Sequence, residues 1–108
     1  MKQYSEHHEY ELSIVVPTYN RTKDLKDLLL SILRQVKLPK EVVIVDDSEN
    51  FRTRDLIEQV LKHFSKKGIF LKYLHNPTRS STSASRNQGT MHTTGEGILF
   101  LDDDVVLE

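Results

Sequence analysis

Three consecutive carboxylates, Asp102, Asp103 and Asp104, follow directly on the apolar run Ile98-Leu99-Phe100-Leu101. A short apolar run of this kind reads as a buried strand. Carboxylates at its mouth repel one another and are costly to dehydrate, so an inward, unpaired arrangement is disfavoured. A divalent cation removes the conflict, because Mg²⁺ and Mn²⁺ prefer hard oxygen ligands and accept phosphate oxygens in the same shell. An isolated Asp-Asp-Asp is more often a solvated acidic turn. Here the strand ahead of it and the rest of the chain tip the balance. A second acidic pair, Asp46-Asp47, closes the run Val42-Val43-Ile44-Val45. The stretch Thr78 to Ser85 is hydroxylic and carries one cation, Arg79, which suits a loop beside a phosphate and equally a solvated connector.

The elements that must position these groups alternate. Leu12 to Val16 reads as a first strand, stopped by Pro17. Leu25, Leu28, Leu29, Ile32 and Leu33 keep the spacing of an amphipathic helix, with Thr22 or Asp24 as its cap. Val42 to Val45 is β-branched throughout and apolar on both faces, as strands of a helix-covered parallel sheet are. Leu56, Val60 and Phe64 mark a second helix closed by Gly68. Ile69 to Leu74 reads as a third strand, Ser83 to Thr94 as a third helix, and Gly97 to Leu101 as a fourth strand. This βαβαβαβ order predicts an α/β fold, a doubly wound and mainly parallel sheet with helices on both faces. Ligands in such sheets bind beyond the carboxyl ends of the strands, where strand order reverses. Pro17 to Arg21, Asp46 to Ser48, His75 to Pro77 and the aspartate run all fall on that rim. For Thr18, Asp47 and Asp104 to converge, the first strand must lie between the second and the fourth, giving the order 3-2-1-4.

The 108 residues make one domain at most, with formal net charge −1 and 37% hydrophobic residues. That balance argues against disorder and against a polybasic nucleic-acid surface. Cysteine is absent, which excludes a disulfide framework and thiolate metal sites. No apolar stretch reaches the roughly 20 residues of a membrane span. Residues 1–11 read as a loose polar tail ahead of the domain at 12–108. The histidines, His7 and His8 among them, form no ligand constellation.

Four segments carry a family resemblance: Ser13 to Arg21, Val43 to Ser48, Ser85 to Gly89, and Gly95 to Asp104. In order and spacing they resemble the nucleotide-binding half of the family 2 glycosyltransferases, inverting enzymes with an A-type, Rossmann-like fold. The resemblance implies a truncated nucleotide-diphospho-sugar transferase-like domain, its donor a nucleotide-sugar, UDP-linked. By the same resemblance, Pro17, Thr18 and Tyr19 lie along the base and ribose, and Asp47 receives the uracil imide hydrogen bond with Asp46 in support. Arg86 lies near the nucleotide or its diphosphate. In the aspartate run, which resembles the family's D-x-D motif, Asp103 reaches the ribose hydroxyls. Asp104 ligates the metal, Mn²⁺ or Mg²⁺, and Asp102 shares either task. Where many relatives carry glycine after the third strand, this chain has Arg79 to Ser83.

In that family the acceptor half follows the metal motif and supplies the general base. The base is therefore expected beyond Glu108, and no catalytic residue is assigned within the chain. The 108 residues by themselves are expected to be inactive and to self-associate through the exposed fourth strand. The resemblance also implies a cytoplasmic protein, or one peripheral to the cytoplasmic face of a membrane at full length; the acceptor is left open. Two rival readings remain: a metal-dependent nucleotidyltransferase-like domain, which would favour a glycine-rich basic loop over Pro17-Thr18-Tyr19-Asn20, and a non-catalytic interaction module on the same scaffold.

Overall fold

The computed structural model describes residues 11–108. The expected tail, His7 and His8 included, lies outside the described residues apart from Glu11. The order is β1 (Leu12–Thr18), α1 (Thr22–Leu33), β2 (Glu41–Asp46), α2 (Arg52–Lys66), β3 (Phe70–His75), α3 (Thr82–Thr90) and β4 (Gly97–Phe100). All neighbouring strands are parallel, in the order β3-β2-β1-β4. The reversal beside β1 is the one that convergence of the motifs requires.

Strand side chains alternate between faces, and the two faces are unequally filled. Ile14, Val16, Val42 and Ile44 pack with Leu25, Leu28, Leu29 and Ile32 of α1 and with Leu56, Val60 and Phe64 of α2. Burying each such side chain contributes roughly 1.5–3 kcal/mol. The opposite face has a smaller core of Val15, Val43 and Val45. There α3 comes down close, because Gly89 has no side chain: a Cβ at that position would collide with Val15 Cγ1. Gly68, at φ 75°, ends α2 in the left-handed conformation that a side chain disfavours. Among the described residues β4 is an edge, paired only with β1, and its Ile98, Leu99 and Phe100 are part-exposed. No helix among the described residues is long and apolar enough to cross a membrane.

Several boundaries differ from the expectations. Pro17 does not stop β1. Val15 O accepts from Leu101 N on the β4 side, whereas Leu12 O and Thr18 O accept from Lys40 N and Asp47 N on the β2 side. By alternation the imide of Pro17 faces the β4 side, beyond the end of that strand, where no ladder donor is needed. Neither Thr22 nor Asp24 caps α1. Arg21 stands at the cap position without a side-chain bond, and both expected caps lie within the first turn.

The third helix ends at Thr90 rather than Thr94 because a buried carboxylate captures the next segment. Glu41, fully buried at the start of β2, accepts from Ser13 Oγ at 2.6 Å and from the backbone N–H of Thr94. Lys72 Nζ lies 2.9 Å from its other oxygen, and Gly95 N donates to Ser13 Oγ at 2.9 Å. Burial pushes the Glu41 carboxyl upward. The bonds from Ser13, Lys72 and Thr94 outweigh it and hold the group at about 2. This knot ties β1, β2, β3 and the α3–β4 connection together at the amino ends of the strands.

Candidate functional site

At the carboxyl ends of the strands the loops enclose a cavity of about 460 Å³. Its first wall is Pro17, Thr18 and Tyr19. Beyond them the chain turns sharply through Asn20, at φ 54°, into α1. Asparagine tolerates that left-handed conformation better than most residues. The turn is pinned to the next strand end, because Asn20 N donates to Ser48 Oγ at 2.7 Å.

Asp46 and Asp47 are both buried, and they do different work. Asp46 accepts from Ser48 N at 2.9 Å and from the Tyr73 hydroxyl at 2.6 Å, which fastens the loop after β2 to β3. Burial and then the bond to Asp46 push the Tyr73 hydroxyl above its ordinary pKa. Asp47 lines the cavity. Its Oδ1 accepts from Asn76 Nδ2 at 2.7 Å. Its Oδ2 accepts from Ser80 N and Ser80 Oγ, both at 2.8 Å, and from Ser85 Oγ at 3.2 Å. Burial alone would raise this carboxyl. The donors from Asn76, Ser80 and Ser85 win and lower it, so Asp47 stays ionised and acceptor-only at neutral pH.

The aspartate run divides in the same way. Asp103 is turned inward, 8% exposed, and accepts from Thr18 Oγ1 at 2.8 Å. Burial raises its pKa; the Thr18 bond and Arg21 offset only part of the rise, and Asp104 adds to it. Asp102 and Asp104 expose 67% and 55% of their side chains, which leaves their oxygens open to a ligand from the cavity. Arg21 Nη1 stands 3.5 Å from Asp104 and 4.0 Å from Asp103.

Of the residues singled out in the sequence, Pro17, Thr18, Tyr19, Asp47 and Asp102 to Asp104 all line the one cavity. Arg86 does not. It lies beside the site, its guanidinium 3.7 Å from Asp102 and 5.5 Å from the Phe100 ring centroid. The second cation that lines the cavity besides Arg21 is Arg79, stacked on the Tyr19 ring at 4.2 Å. Sequence reasoning assigned no role to Arg21, Asn76, Ser80 or Ser85. Asn76 and Arg21 each stand just past a strand end, which was a usable signal. The serines belong to a hydroxylic stretch whose order within the loop carries no such signal.

No group of three or more acidic or histidine side chains among the described residues forms a cage for a metal. The exposed carboxylates of Asp104 and Asp102 at the cavity rim instead fit a hard divalent cation that takes one or two protein carboxylates and completes its shell with phosphate and water.

A doubly wound sheet with an acidic cavity at its switch point, lined also by Arg21 and Arg79, places a candidate ligand site where α/β domains commonly bind their ligands. Residues 13–108 match the family described as "Glycosyl transferase family 2", and the chain belongs to that family. It is 37% identical over 93 residues to an "Uncharacterized glycosyltransferase" of Haemophilus influenzae, covering 86% of this chain and 29% of that protein. It is 30% identical over 95 residues to the Campylobacter jejuni "GalNAc(5)-diNAcBac-PP-undecaprenol beta-1,3-glucosyltransferase", covering 87% of this chain and 29% of the relative. The crystal structure of S. aureus TarS 1-349 in complex with UDP-GlcNAc superposes with a TM-score of 0.68 at 33% identity, over 87% of this chain and 26% of that one. The chain thus spans under a third of the length of each of these proteins.

Proposed function

We propose that these residues form the donor-binding portion of a metal-dependent, inverting glycosyltransferase whose donor is a UDP-sugar. The observation that carries the reading is Asp47: an ionised carboxylate, lining the cavity, with acceptor capacity and no proton to give. Such a group accepts the imide N–H of uracil and meets cytosine, which has no proton there, acceptor to acceptor. The likeness to TarS, solved with UDP-GlcNAc, supports the same donor.

The base lies along Pro17, Thr18 and Tyr19, and Asp46 holds Asp47 in place through the backbone. Asp103, anchored on Thr18, reaches the ribose. Asp104 and Asp102 would hold the divalent cation, which when bound would supply positive charge against a departing diphosphate. Arg21 and Arg79 supply the protein's own positive charge at the same wall, and Arg86 braces Asp102. Donor binding is the property that tests this reading most directly. The part-exposed apolar β4 edge supports pairing with a second copy, which sedimentation tests.

The deciding experiment is calorimetric titration of the chain with UDP, CDP and ATP, with and without Mn²⁺. Metal-enhanced binding of UDP over CDP is the expected result. Preference for ATP or CDP would favour a nucleotidyl-transfer domain, and no response to any nucleotide would favour a non-catalytic interaction module on the same scaffold.

A further inference from the structure

The two oxygens of Asp47 are used unequally. Oδ2 takes three donors, from Ser80 N, Ser80 Oγ and Ser85 Oγ. Oδ1 takes one, Asn76 Nδ2 at 2.7 Å. An ionised carboxylate offers about four acceptor directions, two on each oxygen. Oδ2 is therefore saturated, and one direction on Oδ1 is unused.

The side chain that sets this pattern is itself held on every polar atom. Asn76 Nδ2 donates to Gln88 Oε1 at 2.8 Å as well as to Asp47, and Gln88 Nε2 donates back to Asn76 Oδ1 at 3.1 Å. Asn76 N donates to Asp46 O at 2.8 Å, so the backbone is fixed as well. Gln88 rides on α3 directly before Gly89, the contact that sets the height of that helix over the sheet. A flipped Asn76 amide would set its oxygen against Asp47 Oδ1, acceptor to acceptor. The acceptor-only Asp47 thus fixes which way the Asn76 amide points, and Gln88 reinforces that orientation with an acceptor for the nitrogen and a donor for the oxygen.

We propose that Asn76 and Gln88 are positioning residues for base recognition, an amide pair that holds Asp47 with one acceptor direction on Oδ1 reserved for a ring N–H of the base. The proposal rests on the reading of Asp47 as base acceptor and adds what makes that acceptor selective. A carboxylate free to swing would find a new donor in water or in the serine loop, and would discriminate less sharply between a base with a ring N–H and one without.

The test is calorimetry of UDP and CDP, with Mn²⁺ present, on the 108-residue chain and four variants. Gln88→Leu, which removes both amide bonds, is expected to cut the UDP-over-CDP preference about tenfold, the loss of roughly one well-made hydrogen bond. Gln88→Glu keeps the acceptor for Asn76 Nδ2 but sets a second oxygen against Asn76 Oδ1, and is expected to leave a preference between those of Gln88→Leu and the parent chain. Asn76→Ala supplies the same ratio if Gln88→Leu does not fold. Asp47→Asn tests the underlying reading. Equal weakening of UDP and CDP in Gln88→Leu and Asn76→Ala, with the preference lost in Asp47→Asn, would overturn the positioning role and leave Asp47 as the reader. An unchanged preference in Asp47→Asn, or no UDP binding to the parent chain, would overturn both.

Discussion

The two ends of β2 carry buried carboxylates in opposite chemical situations. Glu41, at the amino end, has a counter-charge in Lys72 at 2.9 Å and donors from Ser13 and Thr94. Asp47, just past the carboxyl end, is held by neutral donors from three residues and lines a cavity. Both are held below their ordinary pKa against the pull of burial. A depressed pKa therefore does not mark a binding site here. What separates the two is whether acceptor capacity faces open space. Glu41 has spare capacity too, on the oxygen beside Lys72, but only Asp47 lines the cavity where a ligand could reach it.

The largest effect expected from this contrast is on stability. Glu41→Ala removes an acceptor shared by three residues, Ser13, Lys72 and Thr94, and should cost about 3 kcal/mol, toward the low end for breaking a buried ion pair because Lys72 is part-exposed. Denaturant unfolding measures it. UDP affinity, read well below the melting temperature, should stay within twofold. The pH dependence has a definite sign. The folded pKa of Glu41 is about 2 against an ordinary 4.5, so its stabilisation is complete above about pH 4.5 and is lost as pH falls toward 2. Glu41→Gln should flatten that acid limb of the unfolding curve.

Asp47→Ala comes next and should act the other way round. UDP affinity should fall about 10- to 100-fold, the worth of one hydrogen bond to a charged group. Stability should change by about 1 kcal/mol, because the freed donors of Asn76 and Ser80 meet water in the cavity. A stability loss as large as that of Glu41→Ala, with UDP binding intact, would erase the contrast. Asp104→Asn should remove the gain in UDP affinity that Mn²⁺ brings, about tenfold, and leave the melting temperature unmoved, since the side chain is 55% exposed. The smallest effect belongs to Arg86→Ala. Its guanidinium lies outside the cavity, and calorimetry should find UDP affinity changed by less than about threefold, as for one exposed ion pair.

Much of this was open to sequence reasoning, for identifiable reasons. Val42 to Val45 had to be an interior parallel strand, because it is apolar on both faces. Each chemically rich segment directly follows such a strand. Errors arose where a residue's role depended on its neighbour. Pro17 reads as a strand breaker, yet its missing N–H falls where the adjacent strand has ended. Thr94 reads as helix, yet Glu41 takes its N–H. Arg79, in the hydroxylic loop, stands on the Tyr19 ring and lines the cavity, a placement that its position in the chain does not announce.

By itself the sequence determined the fold class, the strand order and the rim on which the acidic motifs gather. Successive parallel strands joined by helices must all end on the same side, so residues that follow strands are brought together whatever their side chains do. It could not say which carboxylate of a pair turns inward. Past the end of a strand the alternation of faces no longer holds, and direction is set by the partner each side chain finds. Those partners are distant: Thr18 and Asp103 are 85 residues apart, Asp47 and Ser80 are 33. Only the packed sheet, with α3 drawn down onto Val15 at Gly89, puts them within bonding distance and decides that Asp47 and Asp103 face inward while Asp102 and Asp104 stay open at the rim.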